Sequence, residues 1–388
     1  MKRKLVVGIA FACVLAFVMA MVGCSSSSSG SAASTGSASA SASAASAAPA
    51  SSSAAASAAS SEASDLAPIS VSYLNKAGYE DIIVADHEGF YGSNVTLLPV
   101  TGSGQQSVEA LLAGQSDIAA TGQGPVADAI KQYGDDIVVL AGTNISTGGQ
   151  VWVAGPGLTG DAAITPYDTA ADNKAVVKAS FEAAAAAKGG TVKCGVQQGA
   201  TTESEFKKWL KAFDISFNDF GTEGDGTVTL VDLKANTLPT TLATGDDIDM
   251  MAASQPYPDT ALGSIEGAYK IGDNADIKSY SVMCLITTKD IFADKEDAIK
   301  AFLEAEKESV DFMNSNANEA IKICAEGIGT DEESVKAQFD IANFKVDMSD
   351  QMISTLQKAC KGKEIDITED QLKAQMPLID WLNGTLNK

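Results

Sequence analysis

At 388 residues the chain is long enough for two domains once its low-complexity end is set aside. Its formal net charge is −23, and beyond residue 4 it carries 24 lysines, 50 acids and no arginine. That balance excludes nucleic acid as a partner, because neutralising phosphates takes clustered Lys and Arg. It also withholds the guanidinium that grips a carboxylate or sulfonate in two places.

Residues 1–23 read as an export signal: Lys2, Arg3 and Lys4 are followed by an almost wholly apolar run, Leu5–Val22. Met21-Val22-Gly23-Cys24, followed at once by serines, resembles a bacterial lipobox. It predicts lipidation of Cys24 and a membrane tether outside the cytoplasm. An uncleaved anchor is the alternative, since about 18 apolar residues marginally span a bilayer. Residues 24–67 are Ser, Ala and Gly with almost no large apolar side chain. Such a stretch cannot bury enough surface to offset ordering entropy, so a disordered stalk is expected, with a reach on the order of 35–40 Å.

From residue 68 the pattern alternates between strand and helix. "SVSYLNKAGYEDIIVADHEGFYG" reads as strand, loop and helix, and "NVTLLPVTGSGQQSVEALLAG" repeats the scheme with Gly114 closing the helix. "SDIAATGQGPVADAIKQYG" does so again, and "DDIVVLAGTN" supplies a further strand. Residues 161–190 read as largely helical, after which "TVKCGVQQGATTESEFKKWLKAF" resumes strand–loop–helix. "TVTLVDL", "DIDMMAASQPYPDTAL" and the long "SYSVMCLITTKDIF" supply more strands. Beyond Lys295 the chain reads as helical to its end, with one extended break near "NFKVDMSD". Strands alternating with helices predict a parallel α/β sheet. Two stretches share one layout: "LLAGQSDIAATGQGPV" (111–126) and "TLATGDDIDMMAASQPYP" (241–258) each run from helix end through glycine, aspartate and small residues to a polar, proline-bearing turn.

In open α/β sheets ligands bind outside the carboxyl ends of strands, so the polar loops there are the candidate site. The first loop brings Asn75, Lys76 and Tyr79, with Lys76 the only cation in any of them. "TGSGQQS" brings Gly102, Ser103 and Gly104, with Ser103 and Gln106 spaced as a capping box. "TGQGP" brings Thr121, Gly122 and Gln123. In the second half "VQQGATTESE" brings Gln197, Gln198, Gly199, Ala200, Thr201 and Thr202, with Thr202 as helix cap and Glu205 three residues on. "SQPYP" adds Gln255 and Tyr257, and Gln150 completes the set. Helix starts beside glycines and hydroxyls accept anions or carbonyl oxygens, although plain helix capping produces the same pattern.

Catalytic patterns are missing from the sequence: no G-x-S-x-G, no P-loop, no G-x-G-x-x-G after a strand and no paired carboxylates at strand ends. His87 beside Glu88 reads as an exposed helical pair, since neighbours on a helix do not face each other. With one histidine and no CxxC, neither a metal nor any other cofactor is expected. Cys324–Cys360 is the first disulfide candidate, with free buried thiols an equal alternative.

The blocks "VTGSGQQSVEALLAGQSDIAATGQGPVADAI", "CGVQQGATTESEFKKWLKAF" and "AASQPYPDTAL" resemble the substrate-binding proteins of ABC importers for nitrate, sulfonate and taurine, a family grouped with thiamine-pyrimidine-precursor binders. Glu109, Ala110, Leu111, Gly114, Asp117 and Pro125 carry the first-lobe pattern, and Gly199, Thr201, Leu210, Asp249 and Pro256 the second, with Ala200 and Gln255 as departures. The resemblance implies a periplasmic-binding-protein fold of the second type: α/β, with two lobes joined by two crossover strands and a helical C-terminal segment. Lobe 1 would be 68–145 plus 283–388 and lobe 2 146–282, with crossovers near 142–152 and 274–282. It further implies a monomeric, lipid-anchored binder that passes a small solute to an ABC permease and is not an enzyme. A solute-sensing subunit and a cofactor-biosynthesis enzyme on the same scaffold are the alternatives. The solute is left open between an anion and a neutral or zwitterionic organic molecule.

Overall fold

A computed structural model describes residues 66–388; the signal segment, Cys24 and nearly all of the 24–67 stretch lie outside the described residues. The first strand–helix alternation is β1 (Ile69–Leu74), α1 (Glu80–Glu88), β2 (Val95–Val100), α2 (Gly104–Leu112), β3 (Ile118–Gly122), α3 (Gln123–Tyr133) and β4 (Ile137–Ser146). Then follow β5 (Gln150–Ala154), α4 (Lys174–Ala187), β6 (Val192–Val196), α5 (Thr201–Ala212), β7 (Phe217–Asn218), β8 (Val228–Asp232), α6 (Leu238–Thr244), β9 (Met250–Ser254), α7 (Tyr257–Ser264) and β10 (Tyr269–Asp273). The chain closes with β11 (Ser281–Thr288), α8 (Lys289–Ser315), α9 (Ala317–Ile328), α10 (Glu332–Ile341), β12 (Ala342–Asp347), α11 (Asp350–Gly362) and α12 (Glu369–Lys373).

Two six-stranded sheets result, ordered β12-β4-β11-β3-β1-β2 and β10-β5-β9-β6-β8-β7. They are mixed rather than purely parallel. β1 pairs in parallel with β2 and β3, and β6 with β8 and β9, as strand–helix alternation requires. β12 runs antiparallel to β4 at the edge; the inserted departures are β11, antiparallel to β3 and β4, and β5, antiparallel to β9 and β10. Each enters its sheet from the opposite half of the chain, so no helical crossover dictates its direction. Stripped of β12 and β7, the orders β2-β1-β3-β11-β4 and β8-β6-β9-β5-β10 are the same arrangement twice, with β3 equivalent to β9.

The shared layout of 111–126 and 241–258 has a physical cause at the far end of these strands. Gly114 and Gly245 take φ of 69° and 70°, open to glycine at no steric cost, and turn the chain off its helix. Asp117 donates its N–H to Ser70 O at 2.8 Å and accepts the Ser70 N–H on Oδ2 at 2.8 Å. Asp249 makes the same reciprocal bracket with Lys193, at 2.8 and 2.9 Å. A lysine completes each: Lys295 at 2.7 Å on Asp117, Lys188 at 2.8 Å on Asp249. Against the upward push of burial, Lys295 and Ser70 hold the Asp117 carboxyl below its usual value. The bracket fixes the register of β3 on β1 and of β9 on β6, which determines what their opposite ends present.

One continuous apolar cluster packs the first sheet against its helices, including α8–α11. The second sheet has a cluster on each face: Trp152, Ala154, Met250 and Ala252 on one, Val151, Val153, Met251 and Ala253 on the other. That is the two-residue period of a strand buried on both sides. Trp152, Phe181, Phe206 and Trp209 are fully buried together in the first of these. Residues 161–173, expected to be helical, hold only a short turn at Gly160–Ala162, and α4 begins at Lys174; Pro166 and the Asp168–Asn173 stretch satisfy themselves through turn bonds, such as Asp168 N–H to Asn173 Oδ1 at 2.8 Å. The expected Cys324–Cys360 disulfide is not formed. Cys194, Cys284, Cys324 and Cys360 are all free and buried, Cys324 against the Glu80 carbonyl.

The chain passes between the sheets twice, at 147–149 and 274–280. Asn274, fully buried, ties the passages together: Oδ1 accepts the N–H of Gly148 at 2.8 Å and of Gln150 at 3.2 Å, while Nδ2 donates to Ser279 O at 3.1 Å. Thr147 Oγ1 also donates to Ser279 O, at 2.8 Å.

Candidate functional site

A cavity of about 80 Å³ lies where the carboxyl ends of β1, β3, β6 and β9 face one another across the crossovers. The starts of three helices form much of its wall: Ser103 and Gly104 at α2, Gly122 and Gln123 at α3, Ala200, Thr201 and Thr202 at α5. The Ser103–Gln106 capping box is present, with Gln106 Oε1 on the Ser103 N–H at 2.7 Å. The α5 cap differs from expectation. Ala200 is the N-cap without a side-chain bond, and Glu203 reaches back to the Gly199 N–H at 2.7 Å; Glu205 is buried and paired with Lys208 at 2.7 Å. The α3 and α5 starts nearly touch, and a Cβ at Gly122 would collide with Thr201 Oγ1. Glycine is required there by close approach between lobes.

Lys76 is the sole cation on the cavity wall, and among the described residues no carboxylate lines it. Its Nζ crosses from the first lobe to donate to Ser254 Oγ at 3.1 Å. Burial lowers its pKa to about 8, against the opposing pull of Glu80. Behind this wall the first turn of α1 places Glu80 and Asp81 in the interior, near Glu306 of α8. Burial pushes the Glu80 carboxyl up to about 8 despite its bond from the Gly78 N–H at 2.8 Å. Asp81 and Glu306 are raised for the same reason, and Tyr91 donates its hydroxyl to Glu306.

The two glutamines at the equivalent strand ends fare differently. Gln123 is fully buried; its Oε1 accepts the Val282 N–H at 2.9 Å, and its Nε2 donates to Tyr280 O at 3.3 Å and Glu205 Oε1 at 3.4 Å. Gln255 is 8% exposed and its Oε1 has no partner. Gln150 accepts from Thr202 Oγ1, and Gln197 Oε1 accepts the Ala235 N–H at 3.1 Å; both residues line the cavity.

Of the residues singled out in the sequence, Lys76, Tyr79, Gly102, Ser103, Gly104 and Gly122 come together here from the first lobe, with Gln123 beside them. Gln150, Gln197, Ala200, Thr201, Thr202 and Gln255 join from the second. Five do not line the cavity. Asn75 turns outward to Gly327 O at 2.8 Å, beside a shallow surface hollow. Thr121 donates to Gly104 O at 2.9 Å beneath the wall. The Gln198 N–H is bound by Asp232 Oδ1 at 2.9 Å on the outer side, and Gly199 (φ 76°) turns the chain toward the helix. Tyr257 opens α7 and packs on the outer apolar cluster. His87 and Glu88 do touch, Nδ1 to Oε1 at 2.9 Å, at the exposed end of α1 and away from the cavity; the His87 side chain is 55% exposed. Among the described residues no cluster of His, Cys, Asp and Glu could hold a metal.

A family model described as the NMT1-like family matches residues 62–328. The chain belongs to the NMT1-like family. Solved structures share its architecture. The alkanesulfonate-binding protein from Xanthomonas axonopodis pv. citri bound to MOPS matches 80% of this chain and 98% of its own, at 13% identity and a TM-score of 0.59. The periplasmic nitrate-binding protein from Synechocystis PCC 6803 matches 80% and 85%, at 16% identity and 0.58. A desulfurization enzyme, DSZB, matches 83% and 99%, at 14% identity and 0.56. At such identities the likeness is one of fold, the periplasmic-binding-protein fold of two α/β lobes. A comparison with curated protein sequences gave no match.

Sequence reasoning missed Asn144 and Ser146 on β4, Ser281 and Met283 on β11, Ser254 on β9 and Gln338 on α10, all on the cavity wall of this NMT1-like chain. Ser254 stood beside Gln255 in a loop already singled out. The others sit on strands and a helix whose approach to the cleft is set by the antiparallel insertions, which no local pattern marks.

Proposed function

We propose that the protein is an extracytoplasmic solute-binding protein that captures a small solute between its lobes and delivers it to an ABC importer. The observation that carries this is a cavity between two equivalent α/β lobes, at the carboxyl ends of both sheets and beside the two crossover passages. Such a layout closes on a ligand by hinge bending, and the closed form is what a transporter recognises. The neighbours that bind alkanesulfonate and nitrate support the reading. The site residues are those brought together above, with Lys76, Gln255 and the α2 and α5 helix starts contacting the solute. The N-terminal residues support a lipid anchor on Cys24, and the same reading has a monomer presented to a membrane permease.

Native mass spectrometry of the protein taken from its own cells, followed by thermal-shift titration, tests this. One bound small molecule that raises Tm with concentration is expected, because a ligand of the folded state stabilises by RT ln(1 + [L]/Kd). A cavity empty in every preparation, and no shift with any solute, would overturn it.

A second reading rests on the Lys76 ammonium at 3.1 Å from the Ser254 hydroxyl, the pairing used by Ser–Lys hydrolases, and on one neighbour being an enzyme. Turnover of a bound solute that Ser254→Ala abolishes would establish it. Binding without turnover favours the carrier.

A further inference from the structure

Asn75 and His87, singled out in the sequence and left over by the central cavity, stand together on a second feature. It is an open hollow of about 350 Å³ on the first lobe, between β1, α1 and the end of α9. The 75–79 loop separates the two: Lys76 and Tyr79 line the cavity, Asn75 the hollow. The volume falls within the roughly 300–1,000 Å³ of small-molecule sites. What this hollow binds is independent of whether the cavity carries a solute.

Ile83 of α1 and Ile323 of α9, 8% and 5% exposed, give the hollow an apolar floor. The Asn75 Nδ2 bond to Gly327 O, at 2.8 Å, pins the end of β1 to the end of α9. Two exposed carboxylates stand on the walls, Asp86 and Glu326, and neither side chain has a hydrogen bond or ion pair among the described residues. Lysine is absent from the wall; Lys322, one turn before Glu326, does not line it. His87 stands beside Asp86 with its Nδ1 held by Glu88.

Surface acids alone are commonplace, and Tyr73 is what makes a site of these. It is 8% exposed, its ring lies 6.4 Å from that of Tyr79, and its hydroxyl has no hydrogen-bond partner among the described residues. That hydroxyl is not one of the orphan atoms sealed inside the lobe, so it opens onto the hollow that Tyr73 lines. Burial, and after it the Asp86 carboxylate, raise the Tyr73 pKa, which sets the phenol and that acid close together. Buried hydroxyls are ordinarily bonded, and the partner of this one has to come from the hollow. Two carboxylates and a phenol oxygen accept charge-assisted N–H bonds, and an apolar floor covers an aliphatic stem.

We propose that this hollow binds an organic ammonium on a short aliphatic stem, with Asp86, Glu326 and the Tyr73 hydroxyl around the head and Ile83 and Ile323 beneath the stem. A free small amine and the lysine side chain of a partner protein offer the same chemistry.

Saturation-transfer NMR on the full-length protein, titrated at low salt with n-butylammonium and with 1-butanol, tests this. The cation is expected to bind about fivefold or more tightly than the alcohol, which has the same stem and no charge. Asp86→Asn and Glu326→Gln should each lower its affinity about threefold, and Tyr73→Phe, which keeps the ring on Tyr79, about twofold. Glu223→Gln, at an exposed acid in the other lobe, should leave the affinity unchanged. Equal binding of butanol and butylammonium overturns the proposal, as does an affinity that survives the Asp86→Asn/Glu326→Gln double variant. A loss at Glu223→Gln as large as that at Asp86→Asn also overturns it, because the attraction would then be to the diffuse negative charge of the whole protein. Nα-acetyl-lysine methylamide is titrated alongside: tighter binding than butylammonium supports the site and names a partner's side chain as its occupant, and weaker binding supports it with a free amine.

Discussion

Gln123 and Gln255 occupy the same place in two copies of one structural module, and they do opposite work. Gln123 ends β3, where β11 runs alongside, and the Val282 N–H and Tyr280 carbonyl of that return segment saturate its amide. Gln255 follows β9, and its Oε1 meets no donor. The contrast teaches that chemistry at a strand end depends on what the neighbouring backbone leaves unmet, not on which side chain stands there. One lip is mortar between the crossovers; the other keeps an amide oxygen with no protein partner.

The largest effect that can break this comparison is on stability. Gln123→Leu strands the Val282 N–H in the interior and should cost about 2–3 kcal/mol in urea unfolding, while Gln255→Leu should change stability by no more than about 0.5 kcal/mol. Equal losses at both positions would erase the distinction.

A second test uses pH, because the lobes differ in their buried acids. Glu80, Asp81 and Glu306 of the first lobe all have raised pKa values, Glu80 about 8. For Glu80 the folded state therefore holds a proton that the unfolded chain releases near pH 4.5, and stability falls as pH rises from there to about 8, by about 1.4 kcal/mol per pH unit; Asp81 and Glu306 act in the same direction. Lys76 acts in the opposite sense above that range. Its folded value of about 8 lies below the ordinary 10.5, so stability recovers between them. Chemical denaturation from pH 5 to 10 should show a minimum near 8, and Glu80→Gln should flatten the descending limb.

Next comes affinity. Once a solute is in hand, Thr201→Ala is expected to weaken it about tenfold with little change in Tm, since Thr201 heads the α5 start on the cavity wall. The smallest effect sharpens the comparison from the other side. Asp117→Asn and Asp249→Asn disturb the same bracket in each lobe and should cost similar amounts, about 1 kcal/mol apiece. A marked inequality would mean that the two modules are less equivalent than their hydrogen bonds.

Much of this architecture is written locally. Strand–helix alternation, Gly114 and Gly245 as turns, the Ser103–Gln106 box and the loops that converge on the cavity all follow from periodicity and capping chemistry. What was not legible comes from long-range placement. Ser281 and Met283 reach the cavity because β11 inserts antiparallel beside β3, and Gln338 because α10 packs back on the first lobe. Lys76 stood out in sequence as the only cation of the loops, but its desolvation is imposed only by the assembled lobes. The fates of Gln123 and Gln255 could not be separated in sequence, since the deciding N–H belongs to Val282, about 160 residues away in the chain.

Asn274 has a mechanical consequence. By bonding Gly148, Gln150 and Ser279 at once, it welds two separate strands into a single axle. Two free straps would let the lobes twist, slide and tilt independently, whereas one axle leaves a single angle. Dyes on the exposed Tyr133 of α3 and Val176 of α4 should then report two sharp distances, ajar and shut, with solute shifting their weights. Asn274→Ala should smear those distances into a continuum, because the joint would have lost the constraint that makes its motion one-dimensional.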